Sequence, residues 1–94
     1  MPRFTWDREK ARSNLAKHRV SFEEAVIAFA DPLARIFEDI DHSESESREI
    51  LVGFSSLGRL LVVSFLEGRG SIRLISARLA TPKERRKHEE AVQP

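Results

Sequence analysis

The stretch SIRLISARLATPKERRKHEE, residues 71–90, joins two sequence patterns, and their junction decides how the C-terminal part of the chain folds. Residues 71–79 are mostly apolar with isolated arginines, which is typical of a strand. Thr81 then has the features of a helix N-cap, because Pro82 follows at the first helical position and Glu84 stands three residues after the cap. We therefore predict a strand, a short turn and a C-terminal helix.

Alternation along this strand predicts where its arginines point. Successive side chains of a regular strand face opposite sides of a sheet, so Arg78 is expected to share a face with Ile72 and Leu74. Arg73 is expected on the other face, in a structural or peripheral position. Arg78 stands at the end of the strand, where its guanidinium group can reach the rim of the sheet.

The helix after Thr81 places further polar side chains near Arg78. Arg85 and His88 are about one turn apart and project from one side of the helix. The short connection allows the first helical turn, which contains Glu84, to lie close to Arg78. The spacing therefore allows a site with two guanidinium groups, an imidazole and a carboxylate.

Cleavage of an RNA phosphodiester requires these side-chain types. A base removes the 2′-hydroxyl proton, a cation stabilises the charge on phosphorus, and an acid protonates the leaving oxygen. Arginine suits the second role because its planar fork binds two phosphate oxygens and stays charged. Histidine suits proton transfer because its ordinary pKa is about 6.5. The same residues also fit a solvated helix face with ordinary ion pairs, and both interpretations stay open at this point.

Upstream of this stretch, the apolar pattern predicts a meander of antiparallel strands. The segment EDIDHSESESRE (38–49) is acidic and rich in serine, which indicates a solvated connection, and SSLGR and EGRGS are turn-like. The strand-like runs are LARIFEDI (33–40), REILVGFSS (48–56), RLLVVSFLE (59–67) and SIRLISARL (71–79).

The N-terminal part predicts a short strand, RFTW, and two helices. Asp7 is a plausible N-cap for a helix over residues 8–18. Ser21 and Glu24 have the spacing of a capping box for a second helix, which the Asp-Pro pair at 31–32 ends. The predicted order is β-α-α-β-β-β-β-α, an α+β fold in which an antiparallel β-sheet carries two N-terminal helices and one C-terminal helix.

The first helix carries a polar row that is a candidate for RNA binding. Lys10, Asn14 and Lys17 fall at i, i+4 and i+7, so they share a face that could contact a phosphate backbone. His18 ends this helix, where the helix dipole favours such a side chain for structural reasons. The two helices could suggest a helix-turn-helix, but acidic residues at positions 23 and 24 do not suit a helix that enters a DNA groove.

Composition limits the classes of protein that the chain can belong to. Its 94 residues, with four glycines, four prolines and no cysteine, predict one domain (1–94) without disulfides or thiolate sites. We expect a cytoplasmic protein with no membrane segment, because no apolar run approaches about 18 residues and the N-terminus lacks a signal-peptide pattern. His18, His42 and His88 are scattered, so no metal site and no cofactor are expected.

Charge is unevenly distributed along the chain. Residues 1–20 carry six lysines or arginines against two acidic residues, and residues 67–94 carry seven against four. Residues 21–66 are acidic, with nine acidic residues against three basic ones. If the two ends meet in the fold they form a basic surface that attracts phosphates; a mixed-charge, solubilising surface is the alternative.

Taken together, the phrases FTWDREKARSNLAKHRVSFEEAVIAFADP, GRLLVVSF and IRLISARLATPKERRKHE resemble the BrnT family of bacterial type II toxins. The resemblance runs from residue 4 to about residue 89. It implies a RelE-like fold and a ribonuclease toxin that inhibits translation and growth. It also implies a cognate BrnA-type antitoxin, operator DNA bound only through the antitoxin complex, and a hetero-tetramer with an antitoxin dimer.

The resemblance also supports the assignment of the candidate site. By position, the family's N-terminal motif falls on Trp6, Asp7, Lys10, Asn14, Lys17 and His18, and its C-terminal motif on Ser76, Ala77, Arg78, Ala80, Thr81, Glu84 and Arg85. We expect metal-independent RNA cleavage in which two arginines hold the phosphate and His88, or else His18 or Glu84, moves protons. The candidate catalytic residues are Arg78, Arg85, His88, Glu84 and His18, and the candidate RNA-binding residues are Lys10, Asn14 and Lys17.

Two departures from the family pattern affect this reading. Arg19 stands where the family commonly has glycine, which makes a left-handed turn less expected. His88 stands where the family tends to have tyrosine, which would change the pKa of a catalytic group at that position. Two other functions stay open: a non-catalytic RNA-binding or scaffold subunit acting through a DNA-binding partner, and a basic site that mainly docks an acidic antitoxin segment.

Overall fold

The computed structural model describes residues 2–40 and 47–93. The predicted order of elements is confirmed. No helix in these ranges is long and apolar enough to cross a membrane. Residues 41–46, which include His42 and make up half of the acidic connection, lie outside the described residues. The elements are β1 (Arg3–Thr5), α1 (Arg8–His18), α2 (Phe22–Ala28), β2 (Arg35–Glu38), β3 (Arg48–Phe54), β4 (Leu60–Gly68), β5 (Ser71–Leu79) and α3 (Pro82–Val92).

The strands form one sheet in the order β1-β5-β4-β3-β2. The predicted meander is confirmed, because β2, β3, β4 and β5 pair antiparallel in succession. β1 adds a parallel edge, with Arg3 opposite Ser71 and Thr5 opposite Arg73. Strand-like composition does not reveal this pairing, because it depends on where α1 and α2 return the chain.

The hydrophobic core lies between one face of the sheet and the two N-terminal helices. Gly53 of β3 lets the end of α2 come close, because a Cβ at this position would lie 2.9 Å from the carbonyl oxygen of Ala28. Asp31 then links the end of α2 to the sheet by accepting a hydrogen bond from the Phe54 N–H at 2.8 Å. The buried core residues are Val20, Phe22, Ala25, Ala28, Leu51, Leu61, Val63, Phe65, Ile72, Leu74 and Ala77.

Helix α3 lies on the opposite face of the sheet. His88 on α3 packs its ring edge-on against Phe54 of β3, with 6.1 Å between ring centroids. Phe54 alternates with the core residue Gly53 along β3 and therefore points away from α1 and α2. The sheet thus carries the core on one face and α3 over part of the other.

A β-bulge in β5 corrects the expected orientation of Arg78. Ser76 pairs with Ser64, but Leu74 pairs with Phe65, so β5 contains one extra residue between these pairs. Leu74 and Ala77 are therefore both buried in the core although they are three residues apart. As a result, Arg78 points away from Ile72 and Leu74, and it shares a face of the sheet with Arg73.

The side chain of Asn14 joins α1 to β5. β1 pairs with β5 at Ser71, Ile72 and Arg73. Further along β5, the N–H of Ala77 donates to Asn14 Oδ1 at 3.0 Å, and Asn14 Nδ2 donates to the Ala77 carbonyl at 2.8 Å. Nδ2 also donates to the Val20 carbonyl at 2.9 Å. Asn14 is thus a buried structural residue that satisfies the edge of β5 as a neighbouring strand would.

A second polar network fixes the turn between α1 and α2. Arg19 adopts the left-handed conformation with φ of 59°, as the glycine expected at this position would. Its carbonyl oxygen accepts a hydrogen bond at 2.9 Å from Arg59, which also forms an ion pair with Glu24. Ser55 donates to the same carboxylate at 2.7 Å. These bonds compensate for the conformational strain of a non-glycine residue at this turn.

We expect Asn14→Asp to destabilise the protein at neutral pH more than Asn14→Ala does. The carboxylate keeps an acceptor for the Ala77 N–H but places an oxygen against two carbonyl groups, and it is charged and buried. Asn14→Ala should lower the free energy of unfolding by about 2–4 kcal/mol, because three buried backbone groups lose their partner. Urea unfolding followed by circular dichroism measures both changes. Ser13→Ala, an exposed change on the same helix, is the control.

Candidate active site

A cleft of about 400 Å³ opens on the α3 side of the sheet, and we call it the α3 cleft. Its apolar floor comes from β3 and β4, namely Ile50, Val52 and Val62. β2 contributes one wall, and α3 with the end of β5 contributes the other. The residues of the two walls are Arg35 and Phe37 on one side and Arg78, Glu84, Lys87 and His88 on the other.

Arg78 and Glu84 form a two-pronged ion pair at the wall of this cleft. The two Nη atoms of Arg78 donate to the two carboxylate oxygens of Glu84 at 2.8 and 2.9 Å. The bulge in β5 turns Arg78 to this side, and the start of α3 supplies Glu84. Glu84 completes the predicted capping box, since its carboxylate accepts from the Thr81 N–H at 2.8 Å and the Thr81 hydroxyl accepts from the Glu84 N–H at 3.1 Å.

This pairing fixes the charge state of both groups. The hydrogen bonds from Arg78 lower the pKa of Glu84 to about 2, and the N–H of Thr81 adds to the effect. The carboxylate in turn raises the pKa of Arg78. A carboxylate with so low a pKa is a weak proton acceptor, so Glu84 is better suited to orient Arg78 than to transfer protons.

The pairing leaves one edge of the Arg78 guanidinium group open. Glu84 takes the edge formed by the two Nη atoms, and Nη1 also donates to the Leu79 carbonyl at 3.2 Å. Within residues 2–40 and 47–93, Nε makes no hydrogen bond. The edge formed by Nε and Nη2 can therefore bind two oxygens of a phosphate while Glu84 holds the group in place.

His88 lies at the base of the α3 cleft with an unusual lack of partners. It is 2% exposed, and within the described part of the chain neither ring nitrogen makes a hydrogen bond. Burial lowers the pKa of His88, with Arg35 adding to the effect, while Asp31 and Glu89 oppose it. The imidazole is therefore mainly neutral at pH 7, and both of its ring nitrogens are enclosed beside the cleft without a hydrogen-bond partner among the described residues.

Arg85 does not line the α3 cleft. Its guanidinium carbon lies 5.6 Å from the ring centroid of Phe54, and its side chain borders a neighbouring cleft with Arg59. Arg85 and His88 contact the same phenylalanine ring, as their spacing on one helix side predicts. Arg78 and Arg85 nevertheless border separate depressions on either side of the start of α3.

The structure divides the residues that were predicted on α1. Lys10 and Lys17 are exposed, as an RNA-binding row requires. Asn14 is a correction, because it is 6% exposed and its amide group is used by the backbone of Ala77 and Val20. It is not available to a phosphate. His18 ends α1, which packs with α2 on the core side of the sheet rather than on the side of the α3 cleft.

Three residues of the cleft were missed by sequence reasoning. Lys87 is one of several charged residues of α3 that no sequence pattern distinguishes, but it lines the α3 cleft. Arg35 and Phe37 alternate along β2, and this period of two was a usable signal that both face the same side. No group of three or more His, Asp or Glu side chains that could hold a metal ion occurs among the described residues.

Comparisons with known proteins agree with this architecture. No curated protein matches the chain. The crystal structure of the Brucella abortus ribonuclease toxin BrnT has a similar fold, with a TM-score of 0.66 and 23% sequence identity over 86% of this chain and 99% of that chain. The family described as ribonuclease toxin, BrnT, of type II toxin-antitoxin systems matches residues 6–84. The chain therefore belongs to the BrnT family of ribonuclease toxins.

Proposed function

We propose that this toxin cleaves RNA in the α3 cleft without a metal ion. The observation that carries the proposal is the guanidinium group of Arg78, held by Glu84 with one edge open, in the same cleft as the unpartnered imidazole of His88. This arrangement supplies a phosphate-binding cation and a neutral proton-transfer group. Residues 1–94 act as one toxin domain.

The reaction is attack of the ribose 2′-oxygen on the adjacent phosphorus. The 2′-hydroxyl loses its proton to a base, a bond forms between O2′ and phosphorus, and the bond from phosphorus to the 5′-oxygen breaks. The leaving oxygen takes up a proton, and a 2′,3′-cyclic phosphate remains. The pentacoordinate phosphorane carries more negative charge than the phosphate of the bound substrate, and Arg78 stabilises this additional charge.

His88 is the group best placed to move the protons. Once bound RNA displaces the side chains that enclose its nitrogens, the neutral ring accepts the 2′-hydroxyl proton at one nitrogen and can return a proton to the leaving oxygen. Glu84 and His18 are weaker candidates, because Glu84 is held by Arg78 and His18 ends a helix on the core side of the sheet. Arg85, predicted as the second phosphate-binding arginine, is also a weaker candidate, because it borders the neighbouring cleft with Arg59 instead of the α3 cleft.

The proposal also covers the flanking RNA and the partner proteins. Lys10 and Lys17 are exposed on α1, on the other side of the sheet from the α3 cleft, so they bind phosphates further along the RNA rather than those next to the cleaved nucleotide. As a member of a type II family, the toxin is neutralised by an antitoxin partner. We propose that this partner is of the BrnA type, that two copies of each protein form a hetero-tetramer, and that the complex binds operator DNA through the antitoxin in the cytoplasm.

Replacing Arg78 should remove cleavage without removing the fold. Arg78→Ala should lower the cleavage rate by at least about a hundredfold, because a single preorganised charge in an active site contributes on that scale. Arg78→Lys should recover only a small part of the rate, because an ammonium group cannot form the fork. Initial rates on a short labelled RNA measure the effect. Arg73→Ala, on the same strand and sheet face, should cleave normally, and antitoxin binding by Arg78→Ala should persist. Full activity of Arg78→Ala would contradict the role of Arg78 in cleavage.

His88→Phe should separate catalysis from packing. Phenylalanine keeps a flat aromatic ring, although a larger one that must fit beside the open cleft, and no hydrogen bond to a described residue is lost, so the thermal midpoint should stay close to that of the wild type. The cleavage rate should fall by about 10²- to 10⁴-fold, because general acid–base catalysis is lost. Arg86→Ala, an exposed change on the same helix, is the control for both measurements.

The pH profile gives an independent test of the role of His88. The neutral ring is the active base, so kcat/KM should rise with pH as His88 loses its proton. Burial lowers the pKa of His88 below its ordinary 6.5, so the midpoint of the rise should lie below pH 6.5. His88→Phe should abolish this acidic limb. A limb that survives in the variant would assign the proton transfer to another group.

Metal independence is tested with the antitoxin-free protein. Cleavage of total RNA should give discrete products at the same rate with and without excess EDTA. Products that carry a cyclic phosphate should be resistant to phosphatase until acid opens the ring. If the wild-type protein binds RNA but cleaves none under either condition, the alternative of a non-catalytic RNA-binding subunit replaces the proposal.

A further inference from the structure

We propose that Phe37 and Arg35 form a nucleobase-stacking subsite in the α3 cleft, so that the toxin selects unpaired RNA and holds one base against β2. The subsite rests on the proposed function, because it binds a nucleotide next to the phosphate that Arg78 contacts. It differs from the catalytic residues in its role, since it determines affinity and substrate structure rather than bond cleavage.

The first observation is an exposed aromatic ring that lies next to an arginine side chain. Phe37 is 40% exposed on β2, an edge strand of the sheet, and its side chain lines the α3 cleft. The guanidinium carbon of Arg35 lies 4.7 Å from the centroid of the Phe37 ring. A stacked arginine–aromatic pair offers the two flat surfaces on which nucleobases stack in single-stranded RNA complexes.

The second observation is the position of this pair across the cleft from Arg78. Arg35 pairs with Val52, Val52 with Val62, and Val62 with Arg78, so the two arginines end one row across four strands. Three strand spacings separate their backbones by about 14 Å. Their side chains therefore face each other over an apolar floor, at a separation that a dinucleotide spans.

The third observation is the composition of the surface between them. The floor is formed by the aliphatic side chains of Ile50, Val52 and Val62, whereas the walls carry Arg35, Arg78 and Lys87. A ligand that matches this surface needs flat apolar faces and several negative charges. Single-stranded RNA has both: a base stacks on Phe37 at the β2 wall, and phosphates bind the cationic groups of the two walls.

The same surface predicts poor binding of double-stranded RNA. A base can stack on Phe37 only after it leaves its own helix, and the bases of an A-form duplex are stacked and paired. The phenyl ring carries no hydrogen-bonding group, so the subsite should tolerate several bases and prefer those that stack more strongly. We therefore infer that the subsite selects unpaired bases more strongly than it selects a particular base sequence.

The test measures binding of a short single-stranded oligonucleotide whose 2′-hydroxyls are methylated, so that it cannot be cleaved. One base is 2-aminopurine, whose fluorescence falls when it stacks. Phe37→Ala should weaken binding by about 5- to 150-fold and abolish the fluorescence change, because one stacked base is lost. Phe37→Leu should behave in the same way, since it keeps an apolar side chain without a ring, and Phe37→Tyr should restore both signals.

Ile36→Ala is the matched control. Ile36 precedes Phe37 on the same edge strand and is 58% exposed, but it points to the other face of the sheet. This variant should bind the oligonucleotide as the wild type does. Thermal unfolding of each variant confirms that the fold is kept.

Two results would overturn the subsite. The first is unchanged oligonucleotide affinity and unchanged fluorescence quenching in Phe37→Ala. The second is normal RNA binding by Phe37→Ala together with weakened binding of the antitoxin, which would make this wall a protein-docking surface. Failure of the proposed function has a different signature, because Arg78→Ala would then cleave RNA normally whatever Phe37 does.

Discussion

The structure depends on one side-chain amide, that of Asn14, placed against the backbone of Ala77. It donates and accepts at the edge of β5 just where the parallel strand β1 no longer covers it. The same amide reaches the Val20 carbonyl, so α1, the turn after it and β5 are fixed by one group. Because Ala77 precedes Arg78, this contact also sets the direction in which the arginine leaves the sheet.

The candidate site combines this constraint with the chemistry of a helix start. Thr81 and Glu84 form a capping box, which satisfies backbone groups that any helix leaves unpaired. The carboxylate that closes the box also takes two hydrogen bonds from Arg78. The Glu84 side chain therefore both caps α3 and orients the arginine, and the hydrogen bonds from Arg78 lower its pKa to about 2. A phosphate-binding group is positioned by ordinary helix capping without a dedicated loop.

Local patterns in the sequence predict the elements but not the contacts between distant ones. The caps at Asp7, Ser21 and Thr81 are visible in sequence because their partners lie within three residues. The bulge in β5 is not visible in the sequence, because it depends on how β5 pairs with its neighbouring strand. The burial of Asn14 is equally hidden, since its partner lies 63 residues away. Alternation along β2 could have placed Arg35 and Phe37 on one face, but only the sheet order shows that this face lies opposite Arg78.

The two faces of the sheet follow opposite physical rules, and the difference explains where function can reside. On the face covered by α1 and α2, buried polar groups such as those of Asn14 have partners. On the α3 side, His88 is buried and makes no hydrogen bond with the described part of the chain, and this costs stability unless another molecule supplies a partner. The apolar floor beside it lowers the local dielectric and strengthens the field of the charged walls. The α3 face therefore gives up part of its folding free energy for a preorganised, incompletely satisfied surface, which is the condition for binding a phosphate more tightly as its charge increases.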